Sequence, residues 1–270
     1  MSKELYENIE VLAKEERQRH GKATPYVGYV RLEQSTSKHN GSPIAAVDTI
    51  KGCNNNCFRC YANRISRFKG KTHDRPVRCV MVGNPDPEIC YRFGTFGDPA
   101  SDWSWTTEQL DNLEARGMKT FYLVTKLQNI DGFPNGRGLH VHVSFDLFDT
   151  NQLRTTMTNF DRVDANLVIR IKTVLSKHTS LMRSQKKVVA FAVRRGVPII
   201  ETRFYTHVKQ DLKFLKLIGY KRAGNLFKYD GSVLRDVYGL ETHLMCSDGE
   251  GGLCRNCLNC MKLIKQQEGG

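Results

Sequence analysis

The chain has 270 residues, of which 40% are hydrophobic and 26% are charged, a composition typical of a folded globular protein and not of a disordered chain. Lys and Arg number 41 against 28 Asp and Glu, so the formal net charge is +13, which favours anionic partners such as nucleic acid, nucleotides or phosphates. No apolar run is long enough to cross a membrane and the N-terminus lacks the pattern of a signal peptide, so we expect a cytoplasmic protein that does not bind membranes.

The predicted elements alternate between strands and helices over most of the chain. A helix is predicted over residues 3–19, followed by an irregular stretch over 22–43. Strands are predicted at Ile44–Lys51, Tyr91–Phe96, Thr120–Lys126, His140–Asp146, Leu167–Lys172 and Val197–Tyr205. Helices are predicted at Thr106–Arg116, Thr150–Ala165, Leu181–Arg195 and Val208–Leu217. Because this alternation is typical of parallel strands joined by crossover helices, the sequence predicts an α/β fold, a partial (β/α)6 TIM-like barrel.

Three regions are expected along the chain. Residues 1–43 form an N-terminal helical and irregular extension, 44–225 form the partial barrel, and 226–270 form a small cysteine-rich C-terminal extension. Within the barrel strands, polar residues recur on one face, and this set includes His142, Ser144, Arg170, Lys172 and Glu201. If helices cover the outer face, the polar face lines the lumen and suits a charged ligand; the alternative is that some of these strands are edge strands facing water.

Seven of the nine cysteines fall into two groups, a distribution typical of metal sites in a reducing compartment. The first group, Cys53, Cys57 and Cys60, has C-x3-C-x2-C spacing and follows the first predicted strand. Three thiolates suit zinc or an iron–sulfur cluster, and three ligands leave one iron of a [4Fe-4S] cluster open to a small molecule. Cys79 and Cys90 stand apart and are expected to be buried apolar residues.

The second group lies in the C-terminal region and consists of Cys246, Cys254, Cys257 and Cys260. Its C-x2-C-x2-C run resembles the spacing of ferredoxins, in which each cysteine binds an iron of a cluster. We therefore expect a second, auxiliary [4Fe-4S] cluster for electron delivery. Two alternatives remain open: only three of the cysteines bind the cluster and its open iron binds substrate, or the group binds zinc.

The first cysteine group, together with an apparent helix from Tyr61, resembles the motif of the radical S-adenosylmethionine (radical SAM) superfamily. A second similarity follows the second predicted strand, where Phe96-Gly97-Asp98-Pro99 resembles the Gly-Gly-Glu-Pro motif that meets the amino group of SAM in that family. Phe96 replaces a glycine of that motif, and Asp98 is shorter than the usual glutamate. The resemblance covers roughly residues 44–206.

The resemblance implies a [4Fe-4S] cluster bound by the first cysteine group, with SAM on its open iron. Reductive cleavage of SAM would give methionine and a 5′-deoxyadenosyl radical that abstracts hydrogen from the substrate. It also implies a one-electron reductant such as ferredoxin or flavodoxin. The expected SAM contacts are Phe58, Tyr61, Gly97, Asp98, Pro99, Ser144 and Arg170.

A basic stretch follows the first cysteine group and comprises Arg64, Arg67, Lys69, Lys71, Arg75 and Arg78. With the net charge, it favours a radical SAM enzyme acting on an anionic substrate such as a nucleic acid base or nucleotide, whose phosphates this stretch would hold. One alternative is a radical SAM enzyme that acts on a protein or peptide. Another is a non-catalytic iron–sulfur or zinc protein that binds nucleic acid.

Overall fold

The computed structural model describes residues 28–32, 44–53, 55, 57, 76–173, 179–203, 206–207, 221–223, 226–228, 231–241, 243–246 and 259–268. Two predicted helices, over 3–19 and at Val208–Leu217, lie outside these residues. Five predicted site residues also lie outside them, namely Phe58, Cys60, Tyr61, Cys254 and Cys257.

Strands and helices alternate through the central part of the chain. The strands are β1 (Gly28–Arg31), β2 (Ile44–Val47), β3 (Ile50–Lys51), β4 (Val77–Val82), β5 (Cys90–Phe93), β6 (Thr120–Thr125), β7 (His140–Phe145), β8 (Asn166–Thr173), β9 (Ile199–Arg203), β10 (Thr206–His207), β11 (Lys221–Ala223), β12 (Leu226–Lys228) and β13 (Leu244–Met245). The α-helices are α1 (Trp103–Ala115), α2 (Thr150–Phe160), α3 (Thr179–Arg195), α4 (Val233–Tyr238) and α5 (Asn259–Glu268). A short 3-10 helix covers Pro99–Ser101.

The main sheet has seven parallel strands in the order β2-β5-β6-β7-β8-β9-β13, and it curls into a half-barrel. Helices α1, α2 and α3 connect β5 to β6, β7 to β8 and β8 to β9, as crossover connections of parallel strands require. The predicted parallel α/β fold of a partial barrel is thus confirmed. Two smaller sheets have the orders β1-β4-β3 and β10-β12-β11. None of the described helices has the length and apolar character needed to cross a bilayer.

The first predicted strand is wrong in one respect, because Ile44–Lys51 forms two strands in two different sheets. β2 pairs with β5 in the main sheet, whereas β3 pairs antiparallel with β4. The chain leaves the main sheet at Asp48, whose carboxylate accepts hydrogen bonds from the backbone of Thr95 and Phe96. The strands β1, β4, β10, β11, β12 and β13 were not predicted. β1 corrects the expectation that residues 22–43 are irregular, because Gly28–Arg31 pairs parallel with β4.

The two faces of the main sheet are covered by different elements. On β7 the outward side chains Val141, Val143 and Phe145 belong to the large core that includes residues of α1, α2 and α3. The inward residues near the amino ends of the strands form a second apolar layer with the C-terminal helix α5. This inner layer comprises Ile44, Cys90, Tyr122, Val168 and Ile200, packed with Cys260, Leu263 and Ile264 of α5. Helix α5 therefore lies on the concave face of the half-barrel.

Glu201 faces outward, which corrects the expectation that it lines the lumen. Its neighbour Ile200 belongs to the inner layer, so Glu201 points to the opposite face. There its buried carboxylate accepts hydrogen bonds from Thr173 Oγ1 and Ser232 Oγ, both at 2.6 Å, and from the backbone of Val233 at 2.8 Å. Glu201 thus attaches the start of α4 to the sheet, and these donors compensate the burial of its charge.

Candidate active site at the carboxyl ends of the strands

A cavity of about 430 Å³ lies at the carboxyl ends of the parallel strands. This is the position at which open parallel sheets and barrels bind their ligands. Its lining residues come from the first cysteine loop, from the turn after β5, and from β6 to β9. They include Cys53, Cys57, Arg92, Gly97, Asp98, Lys126, Ser144, Asp146, Arg170, Lys172 and Thr202.

The first cysteine loop and the turn after β5 are joined by backbone contacts. Gly52 and Gly97 form a parallel β-bridge, and the Gly52 N–H donates to the Phe96 carbonyl at 2.9 Å. A Cβ atom on Gly97 would lie 1.9 Å from the carbonyl oxygen of Ile50, so only glycine fits this close approach. The structure therefore brings Cys53 and Gly97, which come from separate sequence motifs, to the same wall of the cavity.

Asp98 fixes this wall through four hydrogen bonds. Its Oδ1 accepts from Thr125 Oγ1 at 2.6 Å and from the Ala100 backbone at 3.0 Å. Its Oδ2 accepts from Asn55 Nδ2 at 2.8 Å and from the Lys126 backbone at 3.0 Å. The carboxylate, only 4% exposed, thus connects the cysteine loop, the 3-10 helix and the end of β6. The predicted contact of Asp98 with SAM stays a prediction, as does that of Pro99, which begins the 3-10 helix.

Two residues that support the site were missed by sequence reasoning. Asp48 is 4% exposed and binds the Phe96 backbone N–H at 3.1 Å; burial raises its pKa to about 6. Gln152, on α2, donates from Nε2 to the Asn55 carbonyl at 2.5 Å, while its Oε1 lies 3.8 Å from Cys57 Sγ. The sequence gives one indication of the role of Asp48, which is a carboxylate directly after a buried strand. It gives no local indication of the role of Gln152.

Positive charge predominates in the cavity lining. Arg92, Lys126, Arg170 and Lys172 contribute four positive charges, against two negative charges from Asp98 and Asp146, a formal balance of +2. Ser144 and Arg170, the two inward residues predicted to contact SAM, both line the cavity. Phe96 also lines it with 39% of its surface exposed. Such a cavity suits an anionic ligand that carries a flat ring.

The described members of the second cysteine group lie against the inner layer of the half-barrel. Cys246 directly follows β13, and its backbone N–H donates to the Glu201 carbonyl at 2.6 Å. Arg170 Nη2 donates to Cys246 Sγ at 3.2 Å. Cys260, near the start of α5, is buried in the same layer. β13 thus extends the main sheet beside β9, and α5 packs against the inner layer of the half-barrel.

Arg78 is the described member of the predicted basic stretch, and it has a structural role. Its guanidinium pairs with Asp102 at 2.6 Å and lies over the Trp105 ring, 5.3 Å from the centroid. The other five residues of the stretch lie outside the described part of the chain. Their expected contact with the substrate remains a prediction.

Within the described ranges, no group of three or more His, Cys, Asp or Glu side chains is arranged to hold a metal ion. Each cysteine group has two members in these ranges, Cys53 with Cys57 and Cys246 with Cys260. Comparisons of the chain with protein-family models, with curated proteins and with solved structures gave no match.

Proposed function

We propose that this protein is a cytoplasmic radical SAM enzyme with a (β/α)6 partial barrel, acting on an anionic substrate such as a nucleic acid base or nucleotide. One observation carries the proposal: Cys53, Cys57, Gly97 and Asp98 line a single cavity at the carboxyl ends of parallel strands. These residues come from the two motifs that resemble the superfamily, and they are distant in sequence. Sharing one cavity is what a common cofactor site requires.

The residues of the cavity fit the implied cofactors. Cys53, Cys57 and Cys60 would bind a [4Fe-4S] cluster, and thiolates are the ligands that such clusters prefer. The surrounding cations match the negative charge of a thiolate-bound cluster and the carboxylate of SAM. When bound, the cluster and SAM supply the one-electron chemistry that removes a hydrogen atom from an unreactive carbon–hydrogen bond.

The protein's own residues hold the walls of the cavity in place and bind the charged groups of the ligand. Asp98 and Asp48 hold the turn after β5 in place, and Gly97 permits close approach of that turn to the cysteine loop. Arg170 and Lys172 present hydrogen-bond donors that can bind a carboxylate or phosphate. Ser144 supplies a neutral hydroxyl on the same inner face. A ferredoxin or flavodoxin would supply the electron.

The choice of an anionic, base-containing substrate is supported by charge and by one aromatic residue. The chain carries a formal charge of +13, and four cations line the cavity. The exposed ring of Phe96 lies on the same wall, so a base can stack on it while a phosphate pairs with a cation. The second cysteine group, with an auxiliary [4Fe-4S] cluster, belongs to the same proposal.

Anaerobic reconstitution with iron and sulfide tests the proposal. We expect EPR and Mössbauer spectra of a [4Fe-4S] cluster that SAM perturbs, and release of 5′-deoxyadenosine after reduction with dithionite. The double variant Cys53→Ala, Cys57→Ala should lose the SAM-sensitive spectrum and the product. Cys79→Ala is the matched control, because Cys79 is fully buried and does not line the cavity. A protein that binds zinc and shows no brown chromophore would contradict the proposal of a radical SAM enzyme. It would favour the non-catalytic alternative.

The substrate class is tested by measuring the binding of single-stranded DNA or RNA. Fluorescence anisotropy gives the affinity over a range of salt concentrations. Affinity should fall as salt rises, because pairing of phosphates with Lys and Arg releases counterions. Phe96→Ala should weaken binding more than Val193→Ala, a change at an exposed apolar residue that does not line the cavity. Binding of neither polymer nor mononucleotide at low salt would favour the peptide alternative.

A further inference from the structure

The outer face of α3 carries positive charge without compensating negative charge. The helix has 17 residues, and five of them are Lys or Arg while none is Asp or Glu. Arg195, the last of the five, pairs with Asp161. The other four are exposed, and their spacing of three, four and seven residues places them on one side of the helix. The α3 cation face is defined by these four residues: Arg183, Lys186, Lys187 and Arg194.

The side chains of the α3 cation face make no ion pair or hydrogen bond within the described residues. On α1, by contrast, the acidic side chains Asp111 and Glu114 both pair with Arg137. Cations three or four residues apart on a helix repel one another, and a bound anion relieves this repulsion. A helix face that is only solvated usually alternates the two signs of charge. The uniform sign of the α3 cation face therefore indicates an anionic partner.

The four cations follow a line along the helix, and this arrangement suits a linear polyanion. Arg183 and Arg194 are separated by about 16 Å along the helix axis, because each residue adds about 1.5 Å. Phosphates of one strand in a duplex repeat every ~3.4 Å along its axis, so this length accommodates several of them. Contacts of Lys and Arg with phosphates fix the position of a nucleic acid without reading its sequence.

The path of the chain relates the α3 cation face to the cavity. Because α3 connects the parallel strands β8 and β9, it starts from the carboxyl ends of the strands and returns to their amino ends. The cavity lies at the carboxyl ends, so the turn that carries Arg183 is nearer to it than the turn that carries Arg194. A nucleic acid strand along α3 therefore leads toward the cavity, where the exposed ring of Phe96 offers a stacking surface for an unpaired base.

We propose that the substrate is a nucleic acid polymer, and that the α3 cation face holds its phosphates while an unpaired base enters the cavity. This inference rests on the proposed function and narrows it, because a free nucleotide is too small to occupy both the cavity and the outer face of α3. The opposite side of the helix, with Val188, Phe191 and Ala192, is buried in the large core. The cation face is thus presented to a partner without any rearrangement of the fold.

The test uses an α3 variant that carries Arg183→Gln, Lys186→Gln and Lys187→Gln, since glutamine keeps a high helix propensity. Fluorescence anisotropy gives the affinity of this variant for single-stranded RNA and DNA oligonucleotides at several salt concentrations. We expect the affinity to fall by at least about tenfold. The slope of log affinity against log salt should become shallower by about 2, because each lost phosphate contact removes about 0.7 for a single strand. The affinity for nucleoside monophosphates, measured by equilibrium dialysis, should be unchanged, because these bind in the cavity.

The matched control is a variant that carries Lys119→Gln, Lys262→Gln and Lys265→Gln. These three lysines are exposed and lie outside α3, so the control variant and the α3 variant have the same net charge. The control variant should lose less than about twofold in oligonucleotide affinity, because salt screens the attraction between the strand and cations that do not contact it. Its salt slope should match that of the unmodified chain.

Equal losses of oligonucleotide affinity in the two variants would overturn the proposal, because net charge alone would then explain the binding. So would an unchanged salt slope in the α3 variant, or an equal loss of its affinity for oligonucleotides and for nucleoside monophosphates. Normal oligonucleotide binding combined with slower reduction by flavodoxin would also overturn it, and would assign the α3 cation face to docking of the reductant.

These outcomes are distinguishable from failure of the proposed function. SAM-sensitive spectra and release of 5′-deoxyadenosine are measured on the unmodified chain and do not depend on the α3 cation face. An unmodified chain that releases 5′-deoxyadenosine and binds nucleoside monophosphates, but binds no oligonucleotide, would overturn the polymer substrate and leave the radical SAM proposal standing. Oligonucleotide binding through α3 without 5′-deoxyadenosine release would do the reverse.

Discussion

Asn55 Nδ2 donates a hydrogen bond of 2.8 Å to Asp98 Oδ2, and this bond connects the first cysteine loop to the turn after β5. Asn55 lies between Cys53 and Cys57, so its contact sets where the loop meets the cavity wall. Asp98 in turn is held by Thr125 and the Lys126 backbone at the end of β6. The buried Asp98 carboxylate therefore helps to hold the loop that carries Cys53 and Cys57, together with the contacts of Gln152 and Gly52.

Asp98→Asn should destabilise the fold by about 2 kcal/mol, because an amide nitrogen would then face donors that now bind a carboxylate oxygen. The unfolding free energy from urea titration measures the effect. Asp131→Asn is the control, because Asp131 is exposed and its replacement should change stability by less than about 0.5 kcal/mol. Equal stability of the two variants would show that the Asp98 network contributes little.

Gly97→Ala should disrupt the bridge between the cysteine loop and the turn after β5. The added Cβ would lie 1.9 Å from a backbone oxygen, so the backbone itself must move. Gly117→Ala is the comparison, since its Cβ would meet no atom within 4 Å. It should lower the unfolding free energy by only about 1 kcal/mol, because Gly117 has a positive φ of 99°. Thermal unfolding should show a much larger loss for Gly97→Ala. A loss no greater than that of Gly117→Ala would contradict the close approach.

Asp48 should make stability depend on pH between about 4 and 6. Its pKa is about 6 in the fold against 3.8 as the ordinary value, so in this interval the unfolded chain loses its proton first. Stability from this group is therefore highest below pH 4, falls as pH rises, and is lower by about 3 kcal/mol above pH 6.

Asp48→Asn removes this titration, so the difference in unfolding free energy between the unmodified protein and the variant should fall as the pH is raised from 4 to 7. Urea titrations at several pH values give that difference. The exposed Asp131→Asn change supplies the reference, whose difference should stay nearly constant. Parallel pH profiles for the protein and its Asp48→Asn variant would show that the pKa of the Asp48 carboxyl is not raised by folding.

Leu263→Ala should cost about 3 kcal/mol, because Leu263 is buried against the inner layer and its loss leaves a cavity there. Lys262→Ala on the exposed side of the same helix should have little effect. Chemical denaturation compares the two. Equal, small effects would mean that α5 does not pack inside the half-barrel.

The pattern of apolar and polar residues along each strand correctly predicted those features of the fold that depend on neighbouring residues in the sequence. The alternation of Val141, Val143 and Phe145 with polar residues correctly indicated which face of β7 packs under helices. The inward position of Arg170 followed in the same way. These predictions succeeded because the period of two in a strand is set by the backbone itself.

The errors concern residues whose partners are distant in sequence. Glu201 is buried on the outer face because Ser232 and Val233 provide donors there, and no strand pattern contains that information. Asp48 interrupts the first predicted strand because its carboxylate accepts hydrogen bonds from the backbone of Thr95 and Phe96. Strand β13 has two residues, too few for any periodicity. Cys260, Leu263 and Ile264 do show helical spacing, but spacing alone does not reveal that the helix enters the lumen.

The placement of α5 also determines the order in which the molecule can fold. Ile44 belongs to the first strand of the main sheet, yet its apolar neighbours include Leu263 and Ile264. During synthesis the strands emerge from the ribosome long before this helix, so their concave apolar surface stays exposed to water until residues 259–268 are made. We therefore expect the nascent chain to need protection from aggregation at that surface.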